Sequence, residues 1–309
     1  MSIDFSKKVV FLAPLAGYTD LPFRSIAKRF GVDLTVSEMI SSNALVYKSE
    51  RTLKMIEKSD YEDPYFVQIA GNNNDIIKQS VEMLNKVDGI AGIDLNCGCP
   101  APKVSSHGSG SSLLKDPSKL TSMLQTIKKH SNKEYTTAKV RIGFDEKKPV
   151  EIALACEEGG ADFIVVHGRT KVGAYKAEVD YDAIKAMKEA VSIPVIANGD
   201  IKDYDKAQQV LEHTKADGVT IGRGAIGNPF IFYELKNEGK KPDLSIKKDI
   251  VFEHLDLMHY FYGERGVILF RKHLHSYSKG VEGGSEFRQK VNATEDIGIL
   301  KSLIDDYLI

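Results

Sequence analysis

Gly92-Ile93-Asp94-Leu95-Asn96-Cys97-Gly98-Cys99-Pro100 reads as an apolar strand that breaks at a Gly-Cys-Pro turn and leaves a thiol at its carboxyl end. Gly98 and Pro100 cannot continue a central strand, so Cys99 is expected on a sharp loop. In a barrel of parallel strands the carboxyl ends form the mouth, and the mouth is where such folds keep their chemistry. The competing reading makes Cys97 and Cys99 small buried hydrophobes, the usual fate of a free thiol. Taken alone, this stretch leaves both readings open.

Working outward, seven further β-branched or apolar runs alternate with helical patterns. They are Val9 to Ala13, Leu34 to Ser37, Tyr65 to Ile69, Thr137 to Ile142, Phe163 to Val166, Pro194 to Ala197 and Gly218 to Ile221. Most are continuously apolar, as strands buried on both faces must be, and each leads into polar or glycine residues and then a periodic segment. An open doubly wound sheet alternates in the same way, but the Gly-x-Gly-x-x-Gly expected after its first strand is missing. The pattern predicts an α/β fold, a closed (β/α)8 TIM barrel.

After about residue 240 the strand signal stops. Val251, Leu255, Met258 and Tyr262 repeat at helical spacing, then Phe270, Leu274 and Tyr277, then Ile297, Leu300, Ile304 and Tyr307. These predict a small all-α helical bundle, with Asn292 and Glu295 resembling a capping box for the last helix. Lys240-Lys241-Pro242-Asp243 combines charge, a proline and a break in periodicity, so the division is drawn at 1–240 and 241–309.

Composition narrows the function classes. Three cysteines in 309 residues, no long apolar run and no basic-then-apolar leader argue against a membrane span, a secretory signal and a disulfide framework. A cytoplasmic enzyme with reduced thiols is expected. Forty-two basic against 43 acidic side chains give a net charge of -1, so a nucleic-acid partner would have to be met by a local patch. Cys97, Cys99 and His107 lack a fourth ligand and the Cys-x-x-Cys pairing, so no metal is expected.

In a barrel the strand ends converge whatever their separation in sequence. Here they are polar together: Ala13-Pro14-Leu15-Ala16-Gly17, Gln68-Ile69-Ala70-Gly71, Asn96 with Cys99, Lys139 and Arg141, and His167-Gly168-Arg169. Lys139 lies between Ala138 and Val140, and a lysine in a core strand is rare unless paired or functional. The seventh and eighth strands end in Asn198-Gly199-Asp200 and Gly222-Arg223-Gly224. Glycine loops at those two strands, one with an arginine, suit a phosphorylated ligand.

Ala-Pro-Leu-Ala-Gly-Tyr-Thr-Asp-Leu-Pro-Phe-Arg from Ala13, Val-Ser-Glu-Met from Val36, Gln-Ile-Ala-Gly from Gln68, Asp-Leu-Asn-Cys-Gly-Cys-Pro from Asp94, His-Gly-Arg-Thr from His167, Ile-Ala-Asn-Gly-Asp-Ile from Ile196 and Ile-Gly-Arg from Ile221 resemble the tRNA-dihydrouridine synthases over essentially the whole chain, the bacterial B-type branch most closely. The resemblance implies an FMN-dependent reductase that uses NADPH to convert uridines of tRNA to 5,6-dihydrouridine. It implies a flavin barrel, a helical tRNA-binding domain and a monomer.

Carried over by residue, Pro14, Leu15 and Ala16 would lie against the flavin, Gln68 would bond its edge, and Lys139 and His167 would contact it. Asn198, Gly199, Asp200, Gly222 and Arg223 would hold the ribityl chain and phosphate, and Asn96 the target uracil. Cys99 matches the family's proton donor, while Cys97 stands where the family commonly has Leu or Met. A thiol of pKa ~8.5 is mostly protonated at neutral pH, so it can act as a general acid.

After Gly-Cys-Pro the family often carries several basic residues, whereas this chain has Pro102-Lys103-Val104-Ser105-Ser106-His107. RNA contacts are therefore expected from Lys103, Arg141 and Arg169 on the barrel and from Arg271 and Lys272. The latter two lie in a segment, Arg265 to Lys290, with six basic and two acidic residues. A free-pyrimidine enzyme of the dihydroorotate dehydrogenase kind and a non-catalytic RNA-binding protein are the alternatives. Neither explains both the extra helices and a lysine and thiol at a barrel mouth.

Overall fold

The computed structural model describes residues 2–174 and 176–307. Its elements are β1 (Val9–Leu12), α1 (Leu21–Arg29), β2 (Thr35–Val36), β3 (Ile40–Ser41), α2 (Ser42–Val46), α3 (Glu50–Met55), β4 (Tyr65–Ala70), α4 (Asn74–Leu84), β5 (Gly92–Cys97), α5 (Pro102–Ser105), α6 (Pro117–His130), β6 (Tyr135–Arg141), α7 (Pro149–Glu158), β7 (Phe163–His167), α8 (Tyr181–Ala190), β8 (Val195–Asn198), α9 (Tyr204–Thr214), β9 (Gly218–Ile221), α10 (Ile231–Lys236), α11 (Lys247–Tyr262), α12 (Glu264–Tyr277), α13 (Gly284–Ala293) and α14 (Ile297–Tyr307). All ladder pairings are parallel and run β1-β9-β8-β7-β6-β5-β4-β2. The sheet closes where Leu12 N donates to the Leu34 carbonyl (3.1 Å) and Asp33 N to that of Val10 (2.9 Å). The expected second strand is two short pieces, β2 and β3, both laid on β4.

Alternation along each strand sorts the side chains. One set, including Val10, Leu12, Val67, Ile93, Leu95 and Cys97, packs outward beneath the helices. The helices present matching stripes, as with Ile77, Val81 and Leu84 of α4, and several begin at a capping aspartate such as Asp20, Asp116, Asp180 or Asp203. The inward set forms an apolar floor of Val9, Phe11, Leu34, Val36, Phe66, Phe163, Val165 and Ile196. Two positions further along the strands the inward residues turn polar: Phe66 gives way to Gln68, Val165 to His167, and Ile196 to Asn198.

Helices α11–α14 gather round their own core of Val251, Leu255, Met258, Val267, Phe270, Leu274, Phe287, Val291, Leu300 and Ile304. They meet the barrel at its first βα unit, where the Phe23 ring of α1 stacks on His273 with centroids 5.6 Å apart and Tyr18 meets His273 edge-on. Helix α13 escaped the periodicity reading because it starts at Gly284 and buries little beyond Phe287 and Val291. The capping-box expectation is corrected too: Asn292 lies inside α13, and Asp296 Oδ1 accepts from Ile299 N (2.8 Å) to start α14. Among the described residues no helix is long and apolar enough to cross a membrane.

Candidate active site

The turn after β5 is held from below. Asn96 is buried, and its side-chain oxygen accepts from Cys99 N (2.9 Å) and Gly98 N (3.2 Å), so it acts as a local cap for the turn. Arg141 Nε donates to the Gly98 carbonyl (2.7 Å) and Ser111 N to the Cys99 carbonyl (3.2 Å). Gly110, at φ +59°, lets the following segment pass close to Cys99, because a Cβ there would stand 3.1 Å from the Cys99 carbonyl oxygen. Cys99 is half-buried, whereas Cys97 and Cys156 are fully buried and burial pushes both thiols up.

Beneath the turn Asn96 Nδ2 donates to Gln68 Oε1 (2.7 Å), and Gln68 Nε2 donates to Asp94 Oδ2 (2.7 Å). Thr137 Oγ1 donates to Asp94 Oδ1 (2.7 Å). Burial raises the Asp94 carboxyl to about 6 against the hydrogen bonds of Gln68 and Thr137. Asp94 belongs to the quoted motif, yet sequence reasoning gave it no role. The argument applied to Lys139, that a charge in a core strand needs a reason, would have found it.

Across the mouth Lys139 Nζ donates to Asn198 Oδ1 (3.2 Å), and Asn198 Nδ2 donates to the Thr220 carbonyl (2.9 Å). Burial, with the nearby Arg141, lowers the Lys139 ammonium to about 8. His167 at the end of β7 is pushed far down by burial and by Lys139, Arg141, Arg169 and Arg223. The rim from β6 to β9 is therefore strongly positive. Asp200 partly offsets it, taking hydrogen bonds from Arg169 Nη2 (2.5 Å) and Arg223 Nη2 (2.9 Å), and these hold its carboxyl below the usual range. Gly199 packs against Val179 where a Cβ would clash at 2.7 Å, and its carbonyl accepts from Tyr181 Oη (2.8 Å). Gly222 comes near Leu15 and Ala13, so the loops after β1 and β9 adjoin.

Pro14 and Leu15 are half-buried and Ala16 exposed, on a turn tied by Leu15 N donating to Thr19 Oγ1 (2.8 Å). The structure thus brings Pro14, Leu15, Gln68, Asn96, Cys99, Lys139, His167, Asn198, Gly199, Asp200, Gly222 and Arg223 to one end of the barrel, at or just past the strand ends. The expected RNA contacts are dispersed. Lys103 is exposed on α5. Arg141 and Arg169 are 2% and 4% exposed and lie in the wall of the mouth, Arg169 Nε donating to the Ala177 carbonyl (2.6 Å).

Arg271 Nη2 donates to the Thr294 carbonyl (2.7 Å) and His275 Nε2 lies 3.0 Å from Asn292 Oδ1, so this half-buried face of α12 is tied to the α13–α14 connection. Lys272 reaches the barrel, its ammonium 5.3 Å from the centre of the Tyr18 ring. Among the described residues no group of three or more His, Cys, Asp or Glu could hold a metal ion.

A closed parallel barrel with its polar residues gathered at one set of strand ends defines the (β/α)8 class of enzyme. Which enzyme family it is follows from comparison. The family model described as dihydrouridine synthase (Dus) matches residues 11–306, and the chain belongs to that family. A probable tRNA-dihydrouridine synthase of Helicobacter pylori (strain J99) is 50% identical over 307 residues, covering 99% of this chain and 94% of that one. The tRNA-dihydrouridine synthase B of Pasteurella multocida is 39% identical, with 94% and 90% covered. Among solved structures, histamine dehydrogenase from Rhizobium sp. 4-9 aligns with a TM-score of 0.56 at 10% identity over 81% of this chain and 49% of that one, a likeness of fold.

Proposed function

We propose that this enzyme binds FMN in the barrel mouth and, with NADPH as reductant, reduces uridines of tRNA to 5,6-dihydrouridine, Cys99 donating the proton. The observation that carries the reading is the position of Cys99: a half-exposed thiol, its backbone N–H held by Asn96, at the mouth of a barrel in a family whose relatives are tRNA-dihydrouridine synthases. The residues fit a flavin phosphate. Lys139, Arg141, Arg169 and Arg223 surround His167, which burial and then these four cations push down, and an anion at that rim would meet their positive charge and the backbones of Gly199 and Gly222.

When bound, FMN supplies the hydride to C6 of the uracil. Cys99 delivers the proton to C5 as the general acid. Lys139, held by Asn198, would supply positive charge to a bound flavin, and Gln68 would offer its amide to it. Pro14, Leu15 and Ala16 form the wall of the site. Residues 1–240 act as the catalytic barrel and 241–309 as the tRNA-binding helices. A uridine stacked inside folded tRNA must be extruded to reach this mouth, at a cost of a few kcal/mol.

The test is direct. The purified protein should release FMN on denaturation, and Cys99→Ala should keep flavin and tRNA binding while losing turnover by ~10²-fold or more. Cys97→Ala should barely change turnover. Failure to bind flavin even after incubation with FMN, or an essential Cys97 with a dispensable Cys99, would overturn the proposal.

A further inference from the structure

We propose that Asp94 is a positioning residue for Cys99, acting through Gln68 and Asn96 by fixing which way each of those two amides points; this rests on the reading of Cys99 as proton donor.

The direction of the relay follows from donor chemistry. The N–H groups of Gly98 and Cys99 can only donate, so Asn96 must turn its oxygen toward them. Its NH2 then donates to Gln68 Oε1, which leaves the Gln68 NH2 as a donor in need of an acceptor. Asp94 supplies that acceptor, and Thr137 Oγ1 completes it from the other side. An amide reversed at Gln68 or Asn96 would set two donors or two acceptors face to face in a buried layer. All four of these side chains are buried, so water does not stand in for a missing partner.

The fold alone does not require the carboxylate. The space below Asp94, Thr137 and Lys139 is walled by Phe11, Leu34, Val36, Phe66, Phe163 and Val165, where an apolar side chain would pack at lower cost than a buried ion. Burial raises this carboxyl's pKa, so the barrel holds it against its solvation preference. Asp94 sits two residues before Asn96 on β5 and beside Gln68 on β4, so its inward side chain is the group able to end the amide chain at that register. No atom of Asp94 needs to touch the substrate.

Asparagine at position 94 can still accept from Gln68 with its oxygen and turn its NH2 to the Thr137 hydroxyl, whereas leucine cannot accept at all. With flavin-loaded full-length protein and an unmodified tRNA transcript, Asp94→Leu should lower kcat by about 10- to 100-fold with little change in KM, while Asp94→Asn stays within about threefold of wild type. Asp94→Leu combined with Cys99→Ala should lose no more than Cys99→Ala alone, within about threefold, because residues acting through one another are not additive.

A readout independent of turnover is the rate at which iodoacetamide alkylates Cys99, the other two thiols being buried. It should shift several-fold in Asp94→Leu and return in Asp94→Asn. Gln68→Leu cuts the same relay one link closer and should shift that rate equally, which keeps the test available if Asp94→Leu does not fold. Unchanged turnover and alkylation in Asp94→Leu, equal damage from Asn and Leu, or multiplicative losses with Cys99→Ala would overturn the proposal. Full activity in Cys99→Ala would instead overturn the proton-donor reading and is recognisable as such.

Discussion

Two histidines buried where α11 and α12 meet α1 should make the protein acid-labile, and the size of the effect can be worked out. His254 and His273 are both fully buried with ring centroids 4.5 Å apart, among Phe23, Phe270 and Tyr277. Burial, with Lys272 nearby, lowers His254 from 6.5 to about 3, and burial beside His254 and Lys272 pushes His273 far below 6.5. Because the folded-state values are depressed, the unfolded chain takes up protons that the folded one refuses as pH falls below 6.5. Stability is full above that value and is lost below it. At pH ~5 the loss from His254 depends only on the unfolded value, since its folded value of about 3 lies well beneath 5: about 1.5 units, or roughly 2 kcal/mol, and His273, pushed the same way, adds to it.

Neither ring nitrogen of His273 has a hydrogen-bond partner among the described residues, so His273→Phe removes two unsatisfied polar atoms. At pH ~7.5 that variant should stay within about 1.5 kcal/mol of wild type or exceed it, and between pH ~7.5 and ~5 it should lose measurably less stability than wild type. Urea unfolding at the two pH values measures both differences. An identical acid loss in wild type and His273→Phe would refute the reasoning, since it would mean the imidazole is charged in the folded protein or reaches water.

Two further outcomes follow from buried charges. Arg24 is buried with its Nε 2.6 Å from Glu62 Oε1, while Glu62 also accepts from Thr35 Oγ1 (2.8 Å) and Ser59 N (2.9 Å). Arg24→Met strands the carboxylate and should cost ~3–5 kcal/mol in denaturant unfolding, and a cost near zero would show that the pair is not buried in solution. Lys139 loses its proton as pH rises through about 8, so the midpoint potential of the bound flavin should fall more steeply above that pH than below it. In Lys139→Met the potential should be lower throughout and this extra slope absent; a wild-type titration curve in that variant would remove Lys139 from the flavin's surroundings.

The barrel was legible because its strands are buried on both faces, and continuous apolar runs such as Phe163 to Val166 can be little else. Strand ends were legible for the same reason: a lysine at 139 or a Gly-Cys-Pro turn stands out against that background. Less visible was anything set by partners distant in sequence. The segment carrying Arg271 reads as basic, but the partners that Arg271 and His275 take at Thr294 and Asn292 are supplied only by tertiary packing. The break between β2 and β3 carries no glycine or proline, and the roles of Asp94 and Thr137 depend on a register between strands that sequence does not state.

The polar layer also explains why Cys99 needs so many supports. Gln68, Asn96, Lys139, His167 and Asn198 stand on strands whose ladders and apolar floor already hold their backbones. Cys99 alone of the proposed reacting groups lies beyond its strand, where a turn has no ladder to hold it. Asn96 takes its N–H, Ser111 takes its carbonyl, Arg141 takes the carbonyl of Gly98, and Gly110 lets the next segment close over it. Asn96 reaches the turn from β5, Arg141 from β6, and Gly110 and Ser111 from the segment after α5, so the thiol's position is set by these three together. A donor placed to about half an ångström on a loop requires that kind of cross-bracing. The charged residues in the wall, Arg141 and Asp94, then have a structural reason to be buried that is separate from any contact with RNA or flavin.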